Sequence, residues 1–298
     1  MAETTKETNL RQANAKAYAV GTVSEKDLKV VTEDGSTKIT GHITVKTSDV
    51  NFVKYNVNVN EKTKAGTDNK TYAGIQTVMN EYKSIAEVGE EEATKVKVTG
   101  DISPFTDKQS GEKKVSYKSN FFNRLKPTDD YEPKAEFSVE VFISGINPEI
   151  DTEGVETGRI VVSGWMPTYN GIEPIELVAE GEVGQAVDSG FEVGQTVEFY
   201  GEIINNRIET ITEIPVKIGK PRKKVTVEVK SDLLITGASE AYEEGITPEL
   251  PYVADTIQAA IQERANRLEE AKAKAQSGAK ASGNAKPSGA AHGRSLGF

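Results

Sequence analysis

The chain states one short pattern twice. Val96-Lys97-Val98-Thr99-Gly100-Asp101-Ile102 returns about a hundred residues later as Val197-Glu198-Phe199-Tyr200-Gly201-Glu202-Ile203. Both copies alternate apolar with polar residues and then place Gly and an acid before Ile. Alternation marks half-buried strands, and a glycine inside a strand often marks a bulge or a barrel corner. Upstream, Ile39-Thr40-Gly41-His42 has a matching run in Val162-Ser163-Gly164-Trp165. The period is too long for a solenoid and fits two small β domains in tandem.

The strand and turn signals extend this reading. Strands are predicted at 18–31, 38–47 and 52–59, with a turn at Glu33-Asp34-Gly35-Ser36 between the first two. Tyr72, Ile75, Val78, Met79, Tyr82 and Ile85 recur at helical spacing and end at Gly89, which predicts one helix. Strands follow at 95–102 and 114–122. Three strands, a helix and two strands is the order of the OB-fold, a five-stranded Greek-key barrel that often binds oligonucleotides. The second copy gives strands at 136–146, 159–166, 172–180, 196–205 and 224–235. Its segment 183–190 is expected to be a vestigial helix or a loop. The fold class is therefore mainly β, with two tandem OB-fold-like barrels. Residues 1–15 form a flexible arm, 16–126 the first barrel, 127–135 a proline-stiffened linker and 136–235 the second barrel. Residues 236–276 form an extension whose 251–275 stretch is helical, and 277–298 are expected to be a disordered tail.

Composition narrows the chemistry. There is no Cys, and His42 and His292 are the two histidines. This argues against disulfides, thiolate metal sites, Ser-His-Asp triads and multi-His metal sites. Gly111-Glu112-Lys113-Lys114 lacks the spacing of a phosphate loop. The chain reads as non-enzymatic, with no cofactor or metal. It shows no signal-peptide core and no apolar run of membrane-spanning length, so a cytoplasmic location and no membrane partner are expected.

The formal net charge of −10 is unevenly placed. Residues 16–126 carry 18 basic and 15 acidic side chains, whereas 136–213 carry 16 acidic side chains against Arg159 and Arg207. Lys217, Lys220, Arg222, Lys223 and Lys224 then form a compact basic run, which is either a nucleic-acid contact or a solvated loop. In the first barrel, alternation turns Ile39, Gly41, Ile43 and Val45 inward and leaves Lys38, His42 and Lys46 outside. It likewise leaves Phe52, Lys54, Asn56 and Asn58 outside on the third strand. On the fifth strand it turns Val115, Tyr117 and Phe121 inward, leaving Lys114, Lys118, Phe122 and Arg124 outside. Cations interleaved with exposed rings suit a single strand, whose backbone needs charge and whose bases need flat apolar faces. In the second barrel Trp165 takes the position matching His42, as a stacking platform or a packed anchor, while Glu176 and Glu180 point outward and disfavour phosphate. The nucleic-acid candidates are thus Lys38, His42, Lys46, Phe52, Lys54, Lys114, Lys118, Phe122, Arg124, Trp165, Arg222, Lys223 and Lys224.

The runs 95–102 and Val115-Ser116-Tyr117-Lys118-Ser119-Asn120-Phe121-Phe122-Asn123-Arg124, with the repeated barrel 137–235, resemble the single-stranded DNA-binding proteins of bacteriophages that infect low-GC Gram-positive bacteria. The resemblance implies a protein that coats and protects single-stranded DNA during replication and recombination, with phage replication or recombination proteins as further partners. Bacterial members end in an acidic tail closing with Phe that recruits enzymes. Phe298 is present here as the partner-binding candidate, but Arg294 and Ser295 stand where acids are expected. The competing readings are a virion or assembly protein whose barrels make protein contacts, and an enzyme that uses an OB domain to hold substrate.

Overall fold

A computed structural model describes residues 10–107, 111–126, 128–214, 222–245, 247 and 250–282, with backbone alone at 209–214, 222–223, 225, 227–228 and 274–282. The first barrel comprises β1 (Ala15–Glu33), β2 (Ser36–Lys46), β3 (Phe52–Asn60), β4 (Lys95–Thr106), β5 (Lys113–Lys118) and the short β6 (Phe122–Arg124). β1, β2 and β3 pair antiparallel in succession, β5 lies parallel to β3, and β4 closes the barrel between β5 and β1. The second barrel repeats this with β7 (Lys134–Ile150), β8 (Glu156–Thr168), β9 (Gly171–Glu180), β10 (Thr196–Ile214) and β11 (Arg222–Ala238). β11 runs parallel to β9, and β10 closes onto β7. Two barrels of OB topology are therefore present, as the order of signals implied.

The repeated glycines have a steric cause. A Cβ on Gly100 would lie 2.5 Å from the Lys118 carbonyl oxygen, and one on Gly201 would lie 2.0 Å from that of Leu234. Lys118 and Leu234 are equivalent, each standing opposite the acid that follows its glycine, Asp101 or Glu202. Each closing strand thus crosses its neighbour too closely for any side chain.

A junction that local patterns do not reveal joins the barrels. β1 pairs antiparallel with β7, with Ala15 opposite Val139, Ala17 opposite Phe137 and Ala19 opposite Ala135. Within its own barrel Ala17 is the ladder partner of Gly100 on β4, and Phe137 that of Gly201 on β10. Equivalent residues therefore meet at the junction, which makes it a local pseudo-two-fold axis. The small, buried Ala15, Ala17, Ala19 and Ala135 let the strands share one continuous core.

Several expected boundaries shift. The predicted helix is split into α1 (Lys70–Glu81) and α2 (Ile85–Val88). Ser84 breaks it by accepting from the Glu87 backbone while Glu87 bonds back to the Ser84 N–H, a reciprocal cap that begins a new helix. The segment expected as a vestige is the ten-residue helix α3 (Gly181–Gly190), seated through buried Gly184 and Val187. The described part of the N-terminal arm is pinned. Arg11 makes a bidentate ion pair with fully buried Glu140, and the Glu140 backbone N–H donates to the Asn14 carbonyl at 2.8 Å. α4 (Ala254–Ser282) packs Ile257 and Ala260 onto the second barrel beside Phe142, Ile172 and Tyr252, and its backbone continues past residue 277.

Candidate nucleic-acid interface

Strands β2 and β3 bury the residues that alternation assigns inward. Ile39, Ile43, Val45, Val53, Tyr55, Val57 and Val59 are all in the core. Their neighbours face out, and the register aligns His42 with Asn56, Asn56 with Lys118, and Lys54 with Thr44. His42, Lys54 and Lys118 therefore share one outer face with the exposed Asn56, Asn58 and Asn60. Among the described residues Lys54 and Lys118 have no acidic partner. The Lys118 ammonium donates to Ser103 Oγ at 2.9 Å. The His42 ring is mostly covered and lies 4.0 Å from Glu25.

Other expected cations are engaged within the protein. Lys46 is largely buried between Glu90 at 2.7 Å and Asp49 at 3.2 Å, and the Glu90 hydrogen bond holds its pKa above the ordinary lysine value. Lys38 pairs with Glu33 at 2.9 Å across its own hairpin. Lys114 is raised in pKa by Glu112 and then Asp107, its loop neighbours at 3.0 and 3.3 Å. Arg124 lies away from the face on β6, with its guanidinium 4.6 Å from the centre of the Tyr82 ring.

Several aromatic assignments change. Phe122 is buried at 5% exposure, edge-on to Tyr55, whereas Phe121 is 61% exposed. The cause is Ser119, whose side chain accepts from the Phe121 N–H at 3.0 Å. The resulting turn interrupts β5 and inverts the alternation that 114–122 would otherwise keep. Phe52 is half-buried, and its carbonyl accepts from Asn205 of the second barrel. Trp165 is partly buried and packs on the cluster beneath α4. Its match to His42 also fails, since the register through β7 and through β9 places Trp165 at the position of Lys46. Gly21 lies against Val45 in the first barrel, and Val141 lies against Gly164 in the second, so the small and large residues exchange sides. In the basic run, Lys224 is exposed on β11. The side chains of Arg222 and Lys223, together with Lys217, Lys220 and Phe298, lie outside the described residues.

The outer faces of the two barrels meet across a cleft of about 1070 Å³. Lys54, Asn56 and Phe105 line one wall, and Glu176, Val178 and Asp232 line the other. Lys113 reaches across it to Glu176 at 2.5 Å. Arg159, mostly buried, bridges Glu149 at 3.3 Å and Asp232 at 2.7 Å and neutralises part of the acidic wall. Register places Glu176 at the position of Lys54, Val178 at that of Asn56 and Leu234 at that of Lys118. The same face of the same fold is thus cationic and polar in one barrel, and acidic and apolar in the other.

A family model described as YorF matches residues 14–274. The chain belongs to the YorF family. The match spans both barrels and most of α4 of this YorF member. Among solved structures, it is similar to the wild-type single-stranded DNA binding protein from Thermus aquaticus, with 9% identity and a TM-score of 0.48 over 80% of this chain and 98% of that one. A deletion mutant of the same Thermus aquaticus protein gives 10% identity and a TM-score of 0.45 over 80% and 99%. No curated protein matches it.

The alternation pattern missed Phe121 and Phe105, which is 40% exposed on the cleft wall. The signal available for Phe121 was Ser119-Asn120, a pair that favours side-chain turns within what otherwise reads as one strand.

Proposed function

We propose that this YorF member binds single-stranded DNA on the outer face of its first barrel, with little sequence preference and no catalysis. On this reading it coats and protects single strands in the host cytoplasm during phage DNA replication or recombination. One observation carries the proposal. Lys54 and Lys118, without acidic partners among the described residues, flank Asn56 on the surface where β2, β3 and β5 adjoin. Ammonium groups not neutralised by a carboxylate release counterions when they meet phosphate, and neighbouring amides accept or donate to any base edge. The second barrel, with Glu176, Val178 and Leu234 at those positions, supports strand binding less well. It favours the second reading, a protein-contact role in assembly, for that half alone.

The test is a polarisation titration of labelled oligo-dT at low and moderate salt, with the full chain and a Lys54→Ala/Lys118→Ala double variant. Each lost phosphate contact should flatten the logarithmic salt slope by about 0.7, so about 1.4 for the pair. Unchanged affinity and slope in a folded double variant would refute the assignment.

A further inference from the structure

β3 carries a second concavity at the end opposite the cleft. About 330 Å³ in volume, it is lined by Asn58 and Asn60 of β3, Lys62 and Lys64 of the loop before α1, and Asn120 and Phe121. Its frame is well tied. The loop closes on itself through Thr63 N–H to the Thr67 carbonyl at 2.8 Å and Asn69 N–H to the Glu61 carbonyl at 2.9 Å. Lys62 pairs with Asp68 at 2.5 Å, and Asn69 donates to the Asn60 carbonyl at 2.8 Å. Phe121 is anchored through Ser119, whose buried hydroxyl donates to the Thr99 carbonyl at 2.7 Å while accepting from the Phe121 N–H.

These bonds tie the frame, and its contents are open. The Phe121 ring projects at 61% exposure. Among the described residues Lys64 has no acidic partner, and the side-chain amides of Asn58 and Asn60 make no hydrogen bond. A large exposed ring held on an anchored backbone is unfavourable unless a ligand covers it, and its fixed position lowers the ordering cost of covering it. We infer that this pocket is a nucleotide subsite, in which a base of the bound strand stacks on Phe121, its edge meets the Asn58 and Asn60 amides, and its phosphate is held by Lys64. The inference rests on the single-strand reading above. It extends the track along β3 from Lys54 past Asn60, about 20 Å at the usual rise of a strand. An amide presents both donor and acceptor, so the subsite takes any base.

The experiment uses the full chain and labelled oligo-dT. Phe121→Ala should weaken binding about 5- to 150-fold, the range of one lost base stack, with an unchanged urea midpoint. Phe121→Trp should keep near-parental affinity and show indole emission quenched by saturating oligo-dT, beyond any change in the parent from its single Trp165. Lys64→Ala should flatten the salt slope by about 0.7. If Phe121→Ala binds within twofold of the parent and Phe121→Trp shows no quenching, while the Lys54/Lys118 double variant loses affinity, the subsite is refuted and the first-barrel reading stands. If that double variant also binds like the parent, both are refuted.

Discussion

Adjacent phenylalanines with opposite exposure make a decisive pair, and the buried one gives the clearer number. Phe122 is 5% exposed on the three-residue β6, opposite Val98 of β4. Its ring meets Tyr55 edge-on with centroids 6.2 Å apart and planes at 88°, and its carbonyl accepts from the Tyr82 hydroxyl at 2.8 Å. Truncating a buried Phe to Ala costs about 3–5 kcal/mol in lost transfer energy and residual cavity. The Tyr55 contact accounts for about 0.5–1.5 kcal/mol of that. β6 is short and, among the described strands, pairs with β4 alone, so it can close partly over the gap, which sets the expectation near 3 kcal/mol. At a urea slope of about 1–3 kcal/mol/M this lowers the midpoint of the first barrel by about 1 M or more. Phe122→Ala should therefore shift the urea transition while the folded protein keeps parental oligo-dT affinity. An unshifted midpoint with lost affinity would place Phe122 on the binding face and undo the inverted register after Ser119.

Three further expectations concern the frame. Arg11→Ala leaves fully buried Glu140 without its bidentate partner. Such a break costs about 3–5 kcal/mol when both charges are buried, and the 40% exposure of the Arg11 side chain reduces the expected loss to about 2–3 kcal/mol, read from the urea midpoint; a loss under about 0.5 kcal/mol would mean that the arm is not docked. Gly201→Ala should destabilise by about 1–3 kcal/mol or prevent folding, because its Cβ would sit 2.0 Å from a backbone oxygen. Gly74→Ala, on an exposed turn of α1 with nothing within 4 Å, should stabilise by about 0.5–1 kcal/mol, and matching signs for the two glycines in thermal melts would contradict the close-crossing argument.

Where the sequence was legible, one physical constraint acted alone. β2 and β3 are flanked on both sides by paired strands, so every second residue has to enter the core, and the alternation of 39–45 and 53–59 reads directly as inside and outside. The repeated Gly-acid-Ile was legible for the same reason, since the crossing it serves recurs in both barrels. The misreadings fall where a second constraint intervenes. Ser119 bonds to the backbone and shifts the period by one, exchanging Phe121 for Phe122. α3 holds Gly181, Gly184 and Gly190, so little of its helical stripe is apolar, and the barrel surface has to supply the stability that propensity withholds. Trp165 is covered by a helix about ninety residues later in the chain. The engagement of Lys46 depends on where Glu90 folds to, and no strand pattern carries that. The β1–β7 junction was unreadable because the residues forming it already alternate for their own barrels.

That junction decides how the charge asymmetry acts. Free barrels on a flexible linker would let the acids of the second drift from the lysines of the first and be screened beyond about 10 Å at ordinary salt. The β1–β7 ladder instead fixes Glu176 across the cleft from Lys54, within reach of Lys113. On the proposed reading, a strand entering the cleft has to displace Lys113 from Glu176. Both side chains are 44% exposed, and such pairs are worth about 0–1 kcal/mol. One stacked base offers about 1–3 kcal/mol. The acidic wall therefore does not block the track. It subtracts a roughly constant amount from every strand, which weighs most on ligands that bring phosphate without an unstacked base, and so favours single strands over duplex at this site.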